Sequence, residues 1–259
     1  MEPRAIWSGA IQFGLVNIPV KLYVATMRRN VSFRSLHPKC GKPLRRPYFC
    51  PTDEEQVEYK EVVKGYEYTK DKYVTLTNED FEKVPLKSSK ALEVLGFVER
   101  EEVDPLLQDS SYYLGPTELS AKPFELFRQA LDLTNRLALA QAAIWKKEQV
   151  VSLRPHGEDL ILSTLFYEDE VRPAPRVPLE EPVTVSKAEL DLALDLVKAQ
   201  TIPYDISQYT DHYREALLEV IKAKVEGKEI EAPVVETRET PEDLMAALKA
   251  SLQAVEKPT

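Results

Sequence analysis

The chain has 259 residues, of which 43% are hydrophobic and 30% are charged, and its formal net charge at pH 7 is −9. This composition is typical of a globular protein with a sizeable core and excludes the disordered and fibrous classes. No apolar run reaches the ~18 residues of a membrane-spanning helix, and the N-terminus lacks a signal-peptide pattern. We therefore expect a cytoplasmic protein with no membrane partner.

Positive charge is concentrated at the start of the chain. The first 50 residues contain nine Lys or Arg and one acidic residue, a net charge of +8, so the remainder carries −17. A patch of one sign produces a long-range field that a mixed surface does not, and binding responds to the local potential within a Debye length of roughly 8 Å. The segment indicates a polyanion as partner, with ordinary solvated surface as the alternative.

The first predicted elements are two short strands within residues 5–25. Apolar residues alternate with others from Val20 to Ala25, which predicts a half-buried strand. Gly9 and Gly14 interrupt the run as glycines do at bulges and tight barrel corners. We expect a small barrel or a strongly coiled sheet.

Residues 28–53 differ from these strands because prolines break them every few positions. They are predicted to form an extended excursion from the barrel that is poor in core-forming residues. Strand signals return in residues 57–77, where tyrosines and valines alternate with Lys and Glu.

The middle of the chain combines predicted strands with short helices. Phe124, Phe127 and Leu131 form one apolar stripe at helical spacing. Strands at this spacing with one inserted helix suit a barrel with an added helix. The predicted helices are 78–84 and 123–134, and the predicted strands are 91–98, 112–114, 137–145, 149–153 and 160–167.

A proline-rich linker then leads into a helical region. Residues 172–182 contain four prolines and are predicted to be extended. Ser186 and Glu189 have the spacing of a capping box at a helix start. A second helix is expected over about 211–226, and a third begins near Thr240.

No catalytic motif is present. Eight glycines leave no phosphate-cradling loop, and the three histidines lie in unlike contexts without a nucleophile elbow or a zinc-protease motif. Runs of acids such as those at 168–170 are typical of solvated loops. We therefore expect a protein that is not an enzyme.

The two cysteines suggest a metal site. In a reducing compartment such a pair points to a metal or to no site rather than to a disulfide. His37 and Cys40 have x2 spacing, and so do Cys50 and Asp53, nine residues further on. Two such knuckles match a zinc ribbon, although Asp53 is an unusual ligand for a structural site. The sequence predicts a structural zinc at these four residues, with a metal-free thiol pair as the alternative and no other cofactor required.

The third predicted helix has an apolar stripe of its own. Leu244, Leu248 and Leu252 lie on one face, after a polar stretch at 228–239. Such a stripe either docks back on the body of the protein or binds a partner in the helix-in-groove mode. Both interpretations stay open, and the second makes these leucines partner-binding residues.

Four blocks of sequence carry a resemblance to a known family: IWSGAIQFGLVNIPVKLY, VSFRSLHPKCG, EVVKGYEYTKDKYVTLT and DHYREALLEVIKAKVEGKEI. They resemble the bacterial Ku proteins of non-homologous end joining, over residues 5–230. The resemblance implies a fold that is mainly β with α, a Ku-core-type β-barrel with a long bridging hairpin and a helical C-terminal arm. It also implies that the bridge corresponds to an atypical zinc ribbon.

The same resemblance implies a function and a division of the chain. Two subunits would pair so that their bridges close a ring, a double-stranded DNA end would thread through it, and the ring would recruit the ATP-dependent DNA ligase D. Such a protein would associate with the nucleoid. The expected division is a barrel core at 1–180 with its bridge at about 28–70, a helical arm at 181–232, and a tethered helix at 233–259 that docks the ligase.

A ring that binds DNA of any sequence needs cations against phosphates rather than side chains that read base edges. The basic excursion supplies such cations, whereas residues 180–259 carry 9 basic and 17 acidic residues and lack the lysine-rich tail of many relatives. The expected DNA-backbone contacts are Lys21, Arg28, Arg29, Arg34, Lys39, Lys42, Arg45 and Arg46.

Other classes of function remain as alternatives. A zinc-ribbon-containing RNA-binding protein would use the same cysteines and cations. A protein-interaction adaptor would act through its terminal helix. A metal-dependent hydrolase is the remaining enzyme class.

Overall fold

The computed structural model describes residues 4–84, 90–145, 147–175, 184–228 and 244–256. The chain divides into two compact units, Met1–Pro173 and Ala174–Thr259. The strands are β1 Trp7–Phe13, β2 Val16–Val24, β3 Tyr48–Cys50, β4 Glu55–Val57, β5 Lys64–Thr69, β6 Lys72–Leu76, β7 Ala91–Glu99, β8 Gln108–Pro116, β9 Arg136–Ile144, β10 Lys147–His156 and β11 Asp159–Leu165. The helices are α1 Asn78–Glu82, α2 Ala121–Leu133, α3 Lys187–Ala199, α4 His212–Val225 and α5 Leu244–Glu256.

Seven strands of the first unit form a closed barrel in the order β1-β2-β8-β11-β10-β9-β7. The β1–β7 pair is parallel and closes the barrel, and the remaining neighbours are antiparallel. Closure removes the unpaired edges that an open sheet would leave. The expected fold, mainly β with α and built on a barrel, is confirmed.

The barrel interior is filled by branched aliphatic side chains. Ile11, Leu22, Leu92 and Leu162 are fully buried there, as the alternation of side chains along a barrel strand requires. The predicted stripe on α2 is confirmed, because Phe124, Phe127 and Leu131 are all at most 4% exposed and belong to the same core.

Two predicted glycine roles are also resolved. Gly14 lies at φ +55° in the β1–β2 turn, a conformation that favours glycine. Gly9 lies in β1, where a Cβ atom would overlap the Trp7 ring and the Lys90 carbonyl. Gly9 therefore marks a close approach of two backbone segments rather than a turn.

Two strands are longer than the sequence predicted. β8 begins at Gln108 rather than at Tyr112, and β10 extends to His156 rather than ending at Leu153. Polar residues at the start of β8 and Pro155 near the end of β10 hid these extensions, because neither gives an apolar alternation.

The second unit is helical where it is described, and its predicted helix starts are present. The Glu189 amide donates to Ser186 Oγ at 3.3 Å, and the Ser186 amide donates to the Glu189 carboxylate at 2.7 Å, which completes the capping box at α3. α4 is capped by Asp211. The predicted cap at Thr240 lies outside the described residues. Among the described helices, none is long and apolar enough to cross a membrane.

An arginine holds α2 to the β10–β11 turn. Arg128 Nη1 donates to the Gly157 carbonyl at 2.7 Å, and its Nε and Nη2 donate to the Glu125 carboxylate at 2.9 and 2.6 Å. Hydrogen bonds from Arg128 and then Gln129 lower the pKa of Glu125 from its ordinary 4.5 to about 2.

We predict that Glu125→Gln removes part of the pH dependence of stability. A carboxyl whose pKa is depressed by folding stabilises the fold above its unfolded pKa of 4.5, and this contribution is lost as pH falls toward about 2. Thermal unfolding of both proteins between neutral pH and pH 2 should give melting temperatures that differ at neutral pH and converge in acid. Glu82→Gln, on the exposed helix α1, is the control; the same convergence in the control would contradict the assignment.

Candidate nucleic-acid interface

The segment between β2 and α1, residues 25–77, contains no buried residue, and the structure describes all of it. We call this segment the arm. Its strands pair only with one another, β3 with β4 and β5 with β6, and do not join the barrel sheet. The predicted excursion from the barrel is therefore present, and it has no core of its own.

A compact turn organises the first part of the arm. Leu36 and Pro43 form a β-bridge, the His37 amide donates to the Lys42 carbonyl at 2.9 Å, and the Gly41 amide donates to the His37 carbonyl at 2.8 Å. Gly41 lies at φ +66°, which favours glycine in such a turn. The turn holds the basic side chains of this region on a defined backbone.

The seven predicted cations of the arm are all exposed. Within the described residues, none of them forms an ion pair. The eighth predicted cation, Lys21, is exposed on β2 between the buried residues Val20 and Leu22, so it points away from the barrel core. The seven arm residues are Arg28, Arg29, Arg34, Lys39, Lys42, Arg45 and Arg46.

The change from basic to acidic charge that the sequence shows after the first 50 residues falls within the arm. The outgoing limb, residues 26–46, carries only basic charge, whereas residues 53–84 carry ten acids and five bases. The bases of this second part include Lys64, whose Nζ lies 4.8 Å from the Phe81 ring centroid, and Lys70 and Lys72 at the β5–β6 turn.

The arm also exposes large apolar side chains. Met27 is 75% exposed, Phe33 71% and Tyr59 80%, and the tyrosines of the β5–β6 hairpin are all exposed. An isolated two-stranded hairpin is marginally stable in water, and exposed apolar patches rimmed by polar residues mark interaction sites. The arm therefore has the surface of a segment that is completed by a partner.

The predicted zinc ligands form two separate pairs. Cys40 Sγ lies 3.3 Å from His37 Nδ1, and Cys50 Sγ donates to Asp53 Oδ2 at 3.2 Å. No three His, Cys, Asp or Glu residues converge on one point among the residues described. One ion held by all four would require the pairs to approach each other, so the donors as placed do not fit a four-ligand zinc site. The zinc prediction stays a prediction, and the zinc content of the purified protein tests it.

The predicted partner-binding leucines lie on α5, which packs against α3 within the second unit. Leu248 and Leu252 are half-buried there. This placement corresponds to the docking interpretation of the stripe. The alternative role as a ligand for another protein stays a prediction.

The first unit is thus a closed β-barrel that carries a long arm with a basic outgoing limb. Residues 12–192 match the family model of the Ku70/Ku80 beta-barrel domain. The chain is 42% identical to the non-homologous end joining protein Ku of Symbiobacterium thermophilum, over 98% of this chain and 63% of that protein. It is 40% identical to the protein of that name from Archaeoglobus fulgidus, over 97% and 99% of the two chains, and 36% identical to that from Bacillus subtilis, over 100% and 84%. The chain belongs to the Ku family.

The relatives differ in length. This chain spans 63% of the Symbiobacterium thermophilum protein and 64% of the Frankia casuarinae protein, to which it is 43% identical. It spans 93% of the protein from Heliobacterium modesticaldum. The aligned part of each longer relative therefore corresponds to the barrel, the arm and the helical region described above.

Proposed function

We propose that two copies of this chain form a ring that threads onto a double-stranded DNA end and holds it for end joining. The observation that carries the proposal is the arm, 53 residues from 25 to 77 without a buried side chain, which is inserted between strands β2 and β7 of the barrel of a Ku-family protein. The ring acts by binding, without catalysis, in the cytoplasm at the nucleoid.

The exposed apolar surface of the arm supports the pairing of two copies. A symmetric dimer buries the same patch on both subunits, so one arm meets its own equivalent. Burial of apolar surface contributes about 25 cal/mol per Å², and the exposed tyrosines of the β5–β6 hairpin on each arm supply that surface. The two-stranded hairpin β5–β6 then gains the packing that it lacks in the single chain.

The basic limb supports DNA as the ligand in the ring. Seven exposed cations without ion pairs among the described residues are free to contact phosphates, and such contacts carry no sequence information. Lys21 on the outer face of β2 precedes this limb and extends the cationic surface toward the barrel. The acidic remainder of the chain repels DNA and so favours the ring interior.

We predict that the protein binds a linear duplex and does not bind a closed circle of the same sequence, because a ring must enter at an end. A gel shift with equimolar linear and covalently closed, relaxed circular DNA, at two salt concentrations, measures this. A single-stranded RNA of the same sequence is included to test the RNA-binding alternative. Equal affinity for the linear and the circular DNA would contradict the threading mechanism.

Reversing the two arginines that precede β3, Arg45→Glu with Arg46→Glu, should weaken binding to all duplex sequences alike. The plot of log affinity against log salt concentration has a negative slope, and each lost phosphate contact should reduce its magnitude by about one. The slope is measured by fluorescence anisotropy over a salt series. The matched control is Lys222→Glu with Lys224→Glu on α4, which makes the same change of charge outside the arm. Equal losses in both double variants would mean that net charge, and not the arm, determines binding.

Recruitment of the ATP-dependent DNA ligase D is the remaining part of the proposal, through helix α5. Deletion of residues 236–259 should abolish stimulation of nick or end ligation by the purified ligase while leaving duplex binding intact. Because α5 packs on α3, a change in thermal stability of the truncated protein is measured in parallel. Full stimulation by the truncated protein would place the ligase contact elsewhere.

A further inference from the structure

A cleft of about 500 Å³ lies at the β3–β4 hairpin of the arm. Two tyrosines form part of its wall, Tyr48 from β3 and Tyr59 from the 3₁₀ turn after β4, and their ring centroids are 6.0 Å apart at an interplanar angle of 40°. Tyr48 is 53% exposed and Tyr59 is 80% exposed. The polar groups beside the rings come from Arg46, Gln56, Glu58 and Lys60.

Both rings are held by local backbone structure. Tyr48 is paired with Val57 across the hairpin. Tyr59 follows Glu58, whose carbonyl accepts from the Glu61 amide at 2.9 Å in a single turn. The two tyrosines are therefore brought side by side although no residue of the arm is buried.

The distance between the rings decides how a ligand would bind. A planar ring inserted between them would need two stacking gaps of ~3.4 Å each, the spacing of stacked bases, and parallel planes. Centroids 6.0 Å apart with a tilt of 40° do not provide this. A flat ligand would therefore stack on one ring rather than between the two, and Tyr59 is the more exposed of them.

The charged groups of the cleft favour a phosphate beside that ligand. Lys60 Nζ lies 2.6 Å from a Glu58 carboxylate oxygen, so a negative charge accompanies this cation. Arg46 has no ion pair among the described residues, so its guanidinium is available for a phosphate. Gln56 adds an amide with both a donor and an acceptor, which suits the edge of a nucleobase. Aromatic faces next to cations are the arrangement that binds unpaired nucleotides.

We propose that this cleft, the tyrosine cleft, binds an unpaired nucleotide of a single-stranded DNA overhang, with the base on Tyr59 and the phosphate on Arg46. The ligand must be unpaired because the bases of a duplex are already stacked on their neighbours. The inference rests on the proposed function and adds a preference for the type of DNA end. It makes Tyr59 a residue that distinguishes overhangs from blunt ends.

The test compares three labelled duplexes, one blunt and two with a short thymidine overhang at the 3′ or the 5′ end, by fluorescence anisotropy. The proteins are the full chain, Tyr59→Ala, Tyr59→Phe and the control Tyr204→Ala, whose side chain is 86% exposed in the second unit. Loss of one base–aromatic stack corresponds to roughly tenfold weaker binding. The expected result is that Tyr59→Ala loses about tenfold on at least one overhang and nothing on the blunt duplex, whereas Tyr59→Phe and Tyr204→Ala match the unmodified chain.

Two outcomes would contradict nucleotide binding at the tyrosine cleft while leaving the proposed function intact. One is equal binding of every duplex by Tyr59→Ala and the unmodified chain. The other is a loss of affinity for blunt and overhang duplexes alike, together with a lower solution mass, because Tyr59 would then serve contact between two copies. Failure of the unmodified chain to bind any duplex would instead overturn the proposed function itself.

Discussion

The position of the arm depends on how β1 pairs with its two neighbours. β1 is antiparallel to β2, with Trp7 opposite Leu22, and parallel to β7, with Ala10 opposite Ala91. The chain therefore leaves the barrel at the end of β2 on one side of β1 and re-enters it at the start of β7 on the other side, two strand spacings across the sheet. The Ala10 amide donates to the Lys90 carbonyl at 3.0 Å, and this approach is the one that Gly9 permits. Gly9, which has no side chain, thus allows the chain to re-enter the barrel directly beside β1.

The arm itself is built without the usual source of stability. Its hairpins and turns satisfy backbone hydrogen bonds, but no side chain between residues 25 and 77 is buried. Its surface instead combines exposed aromatic groups with charge that changes sign between the outgoing limb and the return. Under the proposed function the two kinds of surface have two kinds of partner, a second copy for the apolar groups and a polyanion for the cations.

Local elements were predicted well from the sequence, and the errors in strand length have physical causes. Alternation along β2, the stripe on α2 and the capping box at Ser186 are signals that short windows contain. The stripe and the capping box are present in the structure, whereas the alternation holds from Val20 to Leu22 and fails at Val24, which is exposed at the end of the strand. β8 was predicted too short because its first half is polar. That half is stabilised across the barrel wall, where Ser111 Oγ lies 2.9 Å from Ser163 Oγ, a contact between residues distant in sequence.

The candidate site shows the same division between local and long-range information. The run of cations was visible in the composition of the first 50 residues, and the two His/Cys/Asp knuckles are each closed locally. Whether the two knuckles converge, and which aromatic rings come together, depends on how the hairpins are placed. The proximity of Tyr48 and Tyr59 follows from the β3–β4 register and has no signature in the sequence.

The most direct test of this account is the solution mass of the free protein by analytical ultracentrifugation at micromolar concentration. A chain of 29.5 kDa whose arm requires a second copy should sediment with twice that mass. A species with the mass of one chain, with its arm protected from proteolysis, would contradict the claim that the arm is completed by its equivalent in a second subunit.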